Sequence, residues 1–305
     1  GGYAWRLRID KWQIFLYQCD QGPVPLQRKW AMSGPSLHED SRPMPSLGLE
    51  LRLDAVGFTG VDDSVDLTAL RHLAQARPWI EWGVLFHPAR QGEPRYASQE
   101  QLERLGALAL EGVRFAAHLC GVDCLRALAG DVEHMRKLHG VLHFQRVQVN
   151  PTARNGAGGW DAASASEGLR SIATSFPQVE FILQVNSETQ PLLAALFLDP
   201  GRPSPTNFAV LFDPSMGTGT LPTSRESPLR GIHCGYAGGL GPDTIITQLR
   251  EISEACRGYS DSVWIDMETQ IRSADGREFD LERCCRVADI VEGAGLVNDI
   301  RRSRL

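Results

Sequence analysis

Side chains able to move protons or hold an anion recur at one kind of place in this sequence: directly after short apolar runs. Asp213 follows Phe208-Ala209-Val210-Leu211-Phe212. A carboxyl beside apolar walls has a raised pKa and suits a general acid, although the same residue could equally anchor the turn at Gly217-Thr218-Gly219. Asp266 and Glu268 end the run Val263–Met267. Alternation along a strand puts both on one face, where such a pair suits acid–base work, ligand binding or an arginine partner. Other runs end in Thr59 and Asp62, in His87 with Arg90 and Arg95, in His118, in Gln148 and Asn150, and in Gln184 and Asn186. The stretch Gly235–Asp243 carries Gly238 and Gly239 between an apolar run and a helical segment. Glycines there let backbone N–H groups approach an anion such as phosphate, with the helix dipole in support; a plain tight turn is the alternative.

These groups serve one site only if the elements that carry them converge. From residue 51, apolar runs alternate with segments of helical period, the pattern of βα repeats and a parallel sheet. The runs are Leu51–Phe58, Trp82–Phe86, Val113–Leu119, Arg146–Val149, Glu180–Val185, Phe208–Phe212, Gly231–Tyr236 and Val263–Met267. Helices are expected over stretches that include Leu67–Ala76, Gln99–Leu110, Glu188–Leu196, Asp243–Cys256 and Leu281–Val291, with Asp66, Ser98, Ser187 and Asp243 as available caps. Eight units favour closure into an α/β (β/α)8 TIM barrel over residues 51–305, with every run delivering its polar terminus to one rim. An open doubly wound sheet would place a glycine-rich dinucleotide loop after its first strand, and Phe58-Thr59-Gly60-Val61-Asp62-Asp63 is no such loop. Residues 1–50 differ: Trp5, Leu7 and Ile9 alternate as in a strand, and a Pro/Gly-rich stretch follows from Gly22 to Pro45. They are expected to form an amino-terminal arm or hairpin packed on the barrel.

Composition narrows the partners. With 42% hydrophobic and 22% charged residues the chain is an ordinary globular one, and its net charge of -6 argues against a nucleic-acid surface. No apolar run reaches the ~20 residues of a membrane span, and the amino terminus lacks the pattern of a secretory signal. The seven cysteines show no paired spacing, so neither a disulfide framework nor zinc is expected, and a reducing, cytoplasmic setting follows. Lysine occurs only at positions 11, 29 and 137, which leaves no strand-end amine for Schiff-base chemistry. No histidine pair has metal-ligand spacing, so the expectation is a small-molecule site with neither metal nor cofactor.

The strand-end segments resemble those of phosphoribosylanthranilate isomerase, a barrel family that performs an Amadori rearrangement on a phosphorylated sugar amine. The resemblance runs over roughly residues 51–292 as ordered short motifs. Gly57-Phe58-Thr59-Gly60 resembles the family's Lys-x-Cys-Gly. Gly83-Val84-Leu85-Phe86 with Pro94-Arg95-Tyr96 resembles its Gly-Phe-x-Phe and Ser-Pro-Arg-Tyr, and Gln148-Val149-Asn150 its Gln-Leu-His. Leu211-Phe212-Asp213 with Gly217-Thr218-Gly219 is similar to Leu-Leu-Asp and Gly-Thr-Gly, and Ala237–Pro242 to Ala-Gly-Gly-Leu-x-Pro. The resemblance implies Asp213 as general acid, Arg95 as ligand for a substrate carboxylate, and Gly238 with Gly239 as phosphate cradle. The family's general-base cysteine falls on Thr59, its lysine on Gly57, and its phosphate-binding Ser-Ser-Gly on Glu268-Thr269-Gln270. His118 or Asp62 would then have to supply the base.

Three functions remain open from the residues. One is a proton-transfer enzyme of isomerase type with Asp213 as acid, acting on a small sugar-derived ligand, phosphorylated or not. Another is a barrel without catalysis that binds a ligand or a partner. The third is a hydrolase or lyase pairing Asp213 with Asp266 or Glu268, an idea that requires Asp266 to face the barrel's interior rather than its helices.

Overall fold

The computed structural model describes residues 47–198, 203, 206–216, 218–260 and 262–297 in full. Nearer the amino terminus it describes the backbone of three strands, β1 (Trp5–Asp10), β2 (Gln13–Gln18) and β3 (Gln21–Val24), paired antiparallel in that order. The alternating segment around Trp5, Leu7 and Ile9 therefore is a strand. Beyond Val24, the Pro/Gly-rich stretch and the expected packing of the arm lie outside the described residues. The chain divides into two compact units, Gly1–Pro43 and Met44–Leu305.

The second unit is a closed parallel barrel of eight strands alternating with helices. Its strands are β4 (Arg52–Thr59), β5 (Ile80–Phe86), β6 (Phe115–Leu119), β7 (Arg146–Val149), β8 (Glu180–Val185), β9 (Phe208–Phe212), β10 (His233–Tyr236) and β11 (Ser262–Met267). Each pairs with the next, and the ring shuts where β11 pairs with β4. The eight expected runs are these eight strands, three with the same bounds and five displaced by one or two residues at one or both ends. Helices α1 (Leu67–Ala76) and α2 (Gln99–Leu110) have the expected bounds, and both caps act: Asp66 accepts from the N–H of Thr68 and Ala69, and Ser98 from that of Gln101.

Two other caps do not act as expected. Helix α6 is Gln190–Phe197 with Thr189 at its N-cap, because Asn186 Oδ1 takes the Glu188 N–H and Thr189 Oγ1 bonds Gln184 O, forming a turn where Ser187 was expected to cap. Helix α7 is Ile245–Cys256 and starts after Thr244 rather than at Asp243, since Thr244 Oγ1 donates back to Gly239 O. Helix α8 (Leu281–Gly293) closes the fold. The expected helices do not include α3 (Gly121–Leu128) and α4 (Val132–Leu142), which share one connection, nor α5 (Ala162–Ser175). Among the described residues no helix is long and apolar enough to cross a membrane.

The pleat sorts each strand between two cores. Outward residues such as Phe58, Trp82, Phe115 and Phe181 pack under the helices, while a separate cluster of Ala55, Ile182, Ala209, Leu211, Ala237 and Trp264 fills the middle of the barrel. Each large buried side chain contributes about 1.5–3 kcal/mol relative to exposure. Small residues make room for Trp264: a Cβ on Gly235 would collide with its ring. Beneath it, at the amino ends of the strands, the interior is ionic. Arg146 lies 4.1 Å over the Trp264 ring, 3.0 Å from Glu81 and 2.6 Å from Glu180, and Glu180 also meets His233 at 3.0 Å. Burial works against the Glu180 charge, but His233 and Arg146 outweigh it and hold the carboxyl at about 2.

Removing the central cation would take from Glu81 and Glu180 the partner they share. Arg146→Ala should lower unfolding stability by about 3–5 kcal/mol in urea titration at neutral pH, the usual cost of breaking a buried ion pair from one side.

Candidate functional site

At the carboxyl ends of the strands the interior opens into a cavity of about 610 Å³. The polar strand-end residues are expected to converge there, and most of them do. His118, Gln148, Gln184, Asp213 and Asp266 line the deeper wall, and Arg95, Asn150, Gly238, Gly239 and Glu268 line the rim along with His87 and Arg90. Asp266 faces the interior, as the paired-carboxylate idea requires. Thr59 stands just behind it, while Asp62 and Asn186 are not among the lining residues. The Gly217 end of the expected Gly217-Thr218-Gly219 turn lies outside the described residues.

Asp213 leaves β9 and is buried, but its surroundings are not purely apolar as expected. Its Oδ2 accepts from Gln184 Nε2 at 2.7 Å and its Oδ1 from Ser215 Oγ at 2.6 Å, so the carboxyl is held in one orientation beside Leu211. Gln184 is itself buried, and its Oε1 has no hydrogen-bond partner although the residue lines the cavity. A buried acceptor left open costs stability, and Gln184 Oε1 could accept a hydrogen bond from a hydroxyl or amine. Gln148 and Asn150 form a second chain, with Gln148 Nε2 donating to Asn150 Oδ1 at 2.7 Å and Asn150 Nδ2 to Cys120 Sγ at 3.4 Å. Burial pushes the Cys120 thiol up to about 12, which leaves it without nucleophilic character at neutral pH.

Between first and last strands, Thr59 Oγ1 donates to Asp266 Oδ1 at 2.8 Å and lies 3.3 Å from His118 Nε2. Burial raises the Asp266 carboxyl to about 7, with the charges of Glu268, Glu81 and Asp213 adding to the effect against the Thr59 hydrogen bond. Burial, and then the charge of Arg146, lowers His118 to about 3, so His118 is neutral at physiological pH and a poor base. Burial likewise pushes Glu268 upward against its partner Arg95, whose Nη1 sits 2.6 Å from Glu268 Oε1.

Asp62, the other base considered, is occupied. Its Oδ2 accepts from Arg272 Nη2 at 2.6 Å and from the Arg95 backbone N–H at 2.6 Å, and its Oδ1 from Ser64 N at 3.0 Å and from Ser64 Oγ. Four donors leave no lone pair directed at a ligand, and the carboxylate works as an anchor. It holds Arg95 in the left-handed region, φ 80°, a conformation that a non-glycine residue keeps only when its surroundings impose it. Arg272, Ser215 and Arg154 were not marked by the sequence. Ser215, two residues after Asp213 in Asp213-Pro214-Ser215, is the one whose spacing could have pointed to it.

The glycine turn after β10 carries Gly238 and Gly239 at φ 86° and 69°. Arg225 donates to the carbonyls of Ala237 and Gly238, turning those oxygens away from the open side of the turn. Among the described residues the backbone N–H groups of Gly238 and Gly239 have no hydrogen-bond partner. Such amides beside a helix amino terminus suit an anion. Among the same residues no three His, Cys, Asp or Glu side chains group as metal ligands would.

No protein-family model matches the sequence, and no curated protein does. Solved structures are similar to it in fold. TrpF from Jonesia denitrificans shares 14% identity over 79% of this chain and 98% of its own, with a TM-score of 0.50. Phosphoribosyl anthranilate isomerase from Thermococcus kodakaraensis shares 10% over 78% and 98% with a TM-score of 0.44, and a D-psicose 3-epimerase 16% over 79% and 95% with a TM-score of 0.47. At these identities the likeness establishes the (β/α)8 barrel and nothing finer. That fold carries its active sites at the carboxyl ends of the strands, the end at which this cavity opens.

The raised Asp266 carboxyl has a stability consequence. An aspartate with a folded-state pKa near 7 and an unfolded one near 3.9 contributes stability that is full below about pH 4 and is lost as pH rises toward 7. Asp266→Asn keeps an acceptor for Thr59 and removes the titration. The variant should therefore be more stable than the parent at alkaline pH by roughly 2–4 kcal/mol, a gap that closes on acidification in paired denaturation curves.

Proposed function

We propose that this barrel is an acid–base enzyme of isomerase type acting on a small, phosphorylated, sugar-derived ligand. The observation that carries the reading is the recessed carboxyl Asp213, fixed on both oxygens by Gln184 and Ser215 and sharing one cavity with Asp266 and with the open amides of Gly238 and Gly239. In this reading the ligand phosphate takes the glycine turn, and a sugar hydroxyl or amine takes Gln184 Oε1. Asp213 gives a proton to the ring oxygen. The C–O bond breaks with its electron pair on that oxygen while the amine lone pair forms C=N. Loss of a proton from the neighbouring carbon then turns the C–H pair into a C=C bond while the C=N pair returns to nitrogen as its lone pair, the rearrangement implied by the motif resemblance to phosphoribosylanthranilate isomerase.

Arg95 departs from its expected task in one respect. Its guanidinium pairs with Glu268, so a substrate carboxylate would have to share or displace that pair. This, with Thr59 at the position of the family's cysteine, favours a substrate that differs from phosphoribosyl anthranilate in the group near Arg95. A barrel that binds without catalysis is the second reading, favoured by the same two positions.

Two measurements test the proposal. In a thermal-shift panel of sugar phosphates and sugar amines, a ligand at 100 times its Kd should add about 2.7 kcal/mol of apparent stability; the absence of any shift across the panel would remove small-molecule binding. For the compound that binds and turns over, Asp213→Asn should cut kcat by about 100-fold or more with the fold intact by circular dichroism. Binding without turnover in the parent protein would leave only the second reading.

A further inference from the structure

Thr59 cannot itself act as a base, since a hydroxyl holds no proton-accepting charge near neutral pH. The barrel nonetheless goes to some length to keep it where it is. A Cβ on Gly83 would collide with the Thr59 side chain, and a Cβ on Gly57 with the carboxylate of Asp266. Two neighbouring strands thus give up side chains so that this pair fits inside the ring. The hydrogen-bond arithmetic then fixes directions. Thr59 has one proton, which goes to Asp266 Oδ1 at 2.8 Å, so toward His118 Nε2 at 3.3 Å it acts as acceptor and the imidazole proton sits on Nε2. Asp266 Oδ1 is thereby committed, while Oδ2 has no hydrogen-bond partner among the described residues, and the residue lines the cavity.

We propose that Asp266 is the proton-accepting carboxylate of this cavity, with Thr59 and His118 as positioning residues that hold Oδ1 and leave Oδ2 for the ligand. The inference rests on the acid–base reading above and supplies its missing partner. Asp266 Oδ2 takes the proton from the ligand carbon, and the C–H electron pair stays with the ligand. Asp213 has given one proton, so the product is an isomer, and water returns the proton from Asp266 to Asp213 before the next turnover. The groups around Asp266 agree with this role. Burial raises Asp266 most, and Glu268 just past the end of its strand, Glu81 on β5 and Asp213 just past the end of β9 add to that, so the carboxyl is poised near neutrality. His118 on β6 stays uncharged above Arg146 of β7 and cannot compete for the proton.

Infrared titration of the whole chain through neutral pH tests this without a substrate. A protonated-carboxyl band that disappears with a midpoint near 7 is expected in the parent protein and in Thr59→Ser. It should be absent from Asp266→Asn, and in Thr59→Val it should move to higher pH because the bond favouring the charged form is gone. With phosphoribosyl anthranilate or a panel sugar amine as substrate, Asp266→Asn should lower kcat about 100-fold with KM retained, and the acidic limb of the parent kcat profile should follow the infrared midpoint. If the parent turns over no substrate, the isomerase reading fails and takes the inference with it, whether or not the band is present. If the parent turns over and Asp266→Asn leaves the band and the pH limb unchanged, the inference is overturned and the reading survives.

Discussion

Strand β11 closing against β4 joins residues more than two hundred positions apart, and three polar contacts depend on that seam. Thr59 meets Asp266, Asp62 meets Arg272, and Arg95 meets Glu268 across the mouth. None of them exists in an open sheet. The seam carries an irregularity at its start, where Val263 pairs Leu53 and Trp264 pairs Ala55, skipping Asp54. That one-residue shift sets the pleat of β4 against β11, so that Ala55, Gly57 and Thr59 share the interior with Trp264 and Asp266. A slip of one residue would exchange the inner and outer faces and bury Phe58 where the carboxylate now lies.

The interior is also graded along the barrel axis. Ionic groups around Arg146 close the amino end, Trp264 and small apolar residues form the middle, and acidic and amide side chains line the open end. The middle layer separates the ion network from the cavity, although Arg146 still acts on His118 through it. A neutral His118 can give a hydrogen bond without adding charge beside Asp266. Ionic pairing is thus concentrated at one end and the polar cavity at the other, and in this architecture active sites lie at the latter end.

Much of this was legible in the residues themselves. Short apolar runs and intervening helical segments marked all eight barrel strands, and strand-end polarity marked Asp213, Gln184, Asp266 and Glu268 as one group. The pairing of Thr59 with Asp266 was not legible, because it depends on barrel register, which no local pattern records. Asp62 misled for a related reason: a strand-end carboxylate looks alike in sequence whether it is open or saturated, and only Arg272, from beyond the last strand, distinguishes the two. Helices α3 and α4 escaped because a short turn through Gly130 packs two of them into a connection that normally holds one. Gly57 read as a lost lysine, whereas in the structure it is the space that the Asp266 carboxylate occupies.

A crystal structure of the protein with a bound sugar phosphate would test the whole arrangement most directly. The account predicts phosphate on the amides of Gly238 and Gly239, and the sugar extending between Asp213 and Asp266 with a donor on Gln184 Oε1. A ligand bound outside the cavity, or lying within it with its phosphate against Glu268 and its sugar away from both aspartates, would contradict it.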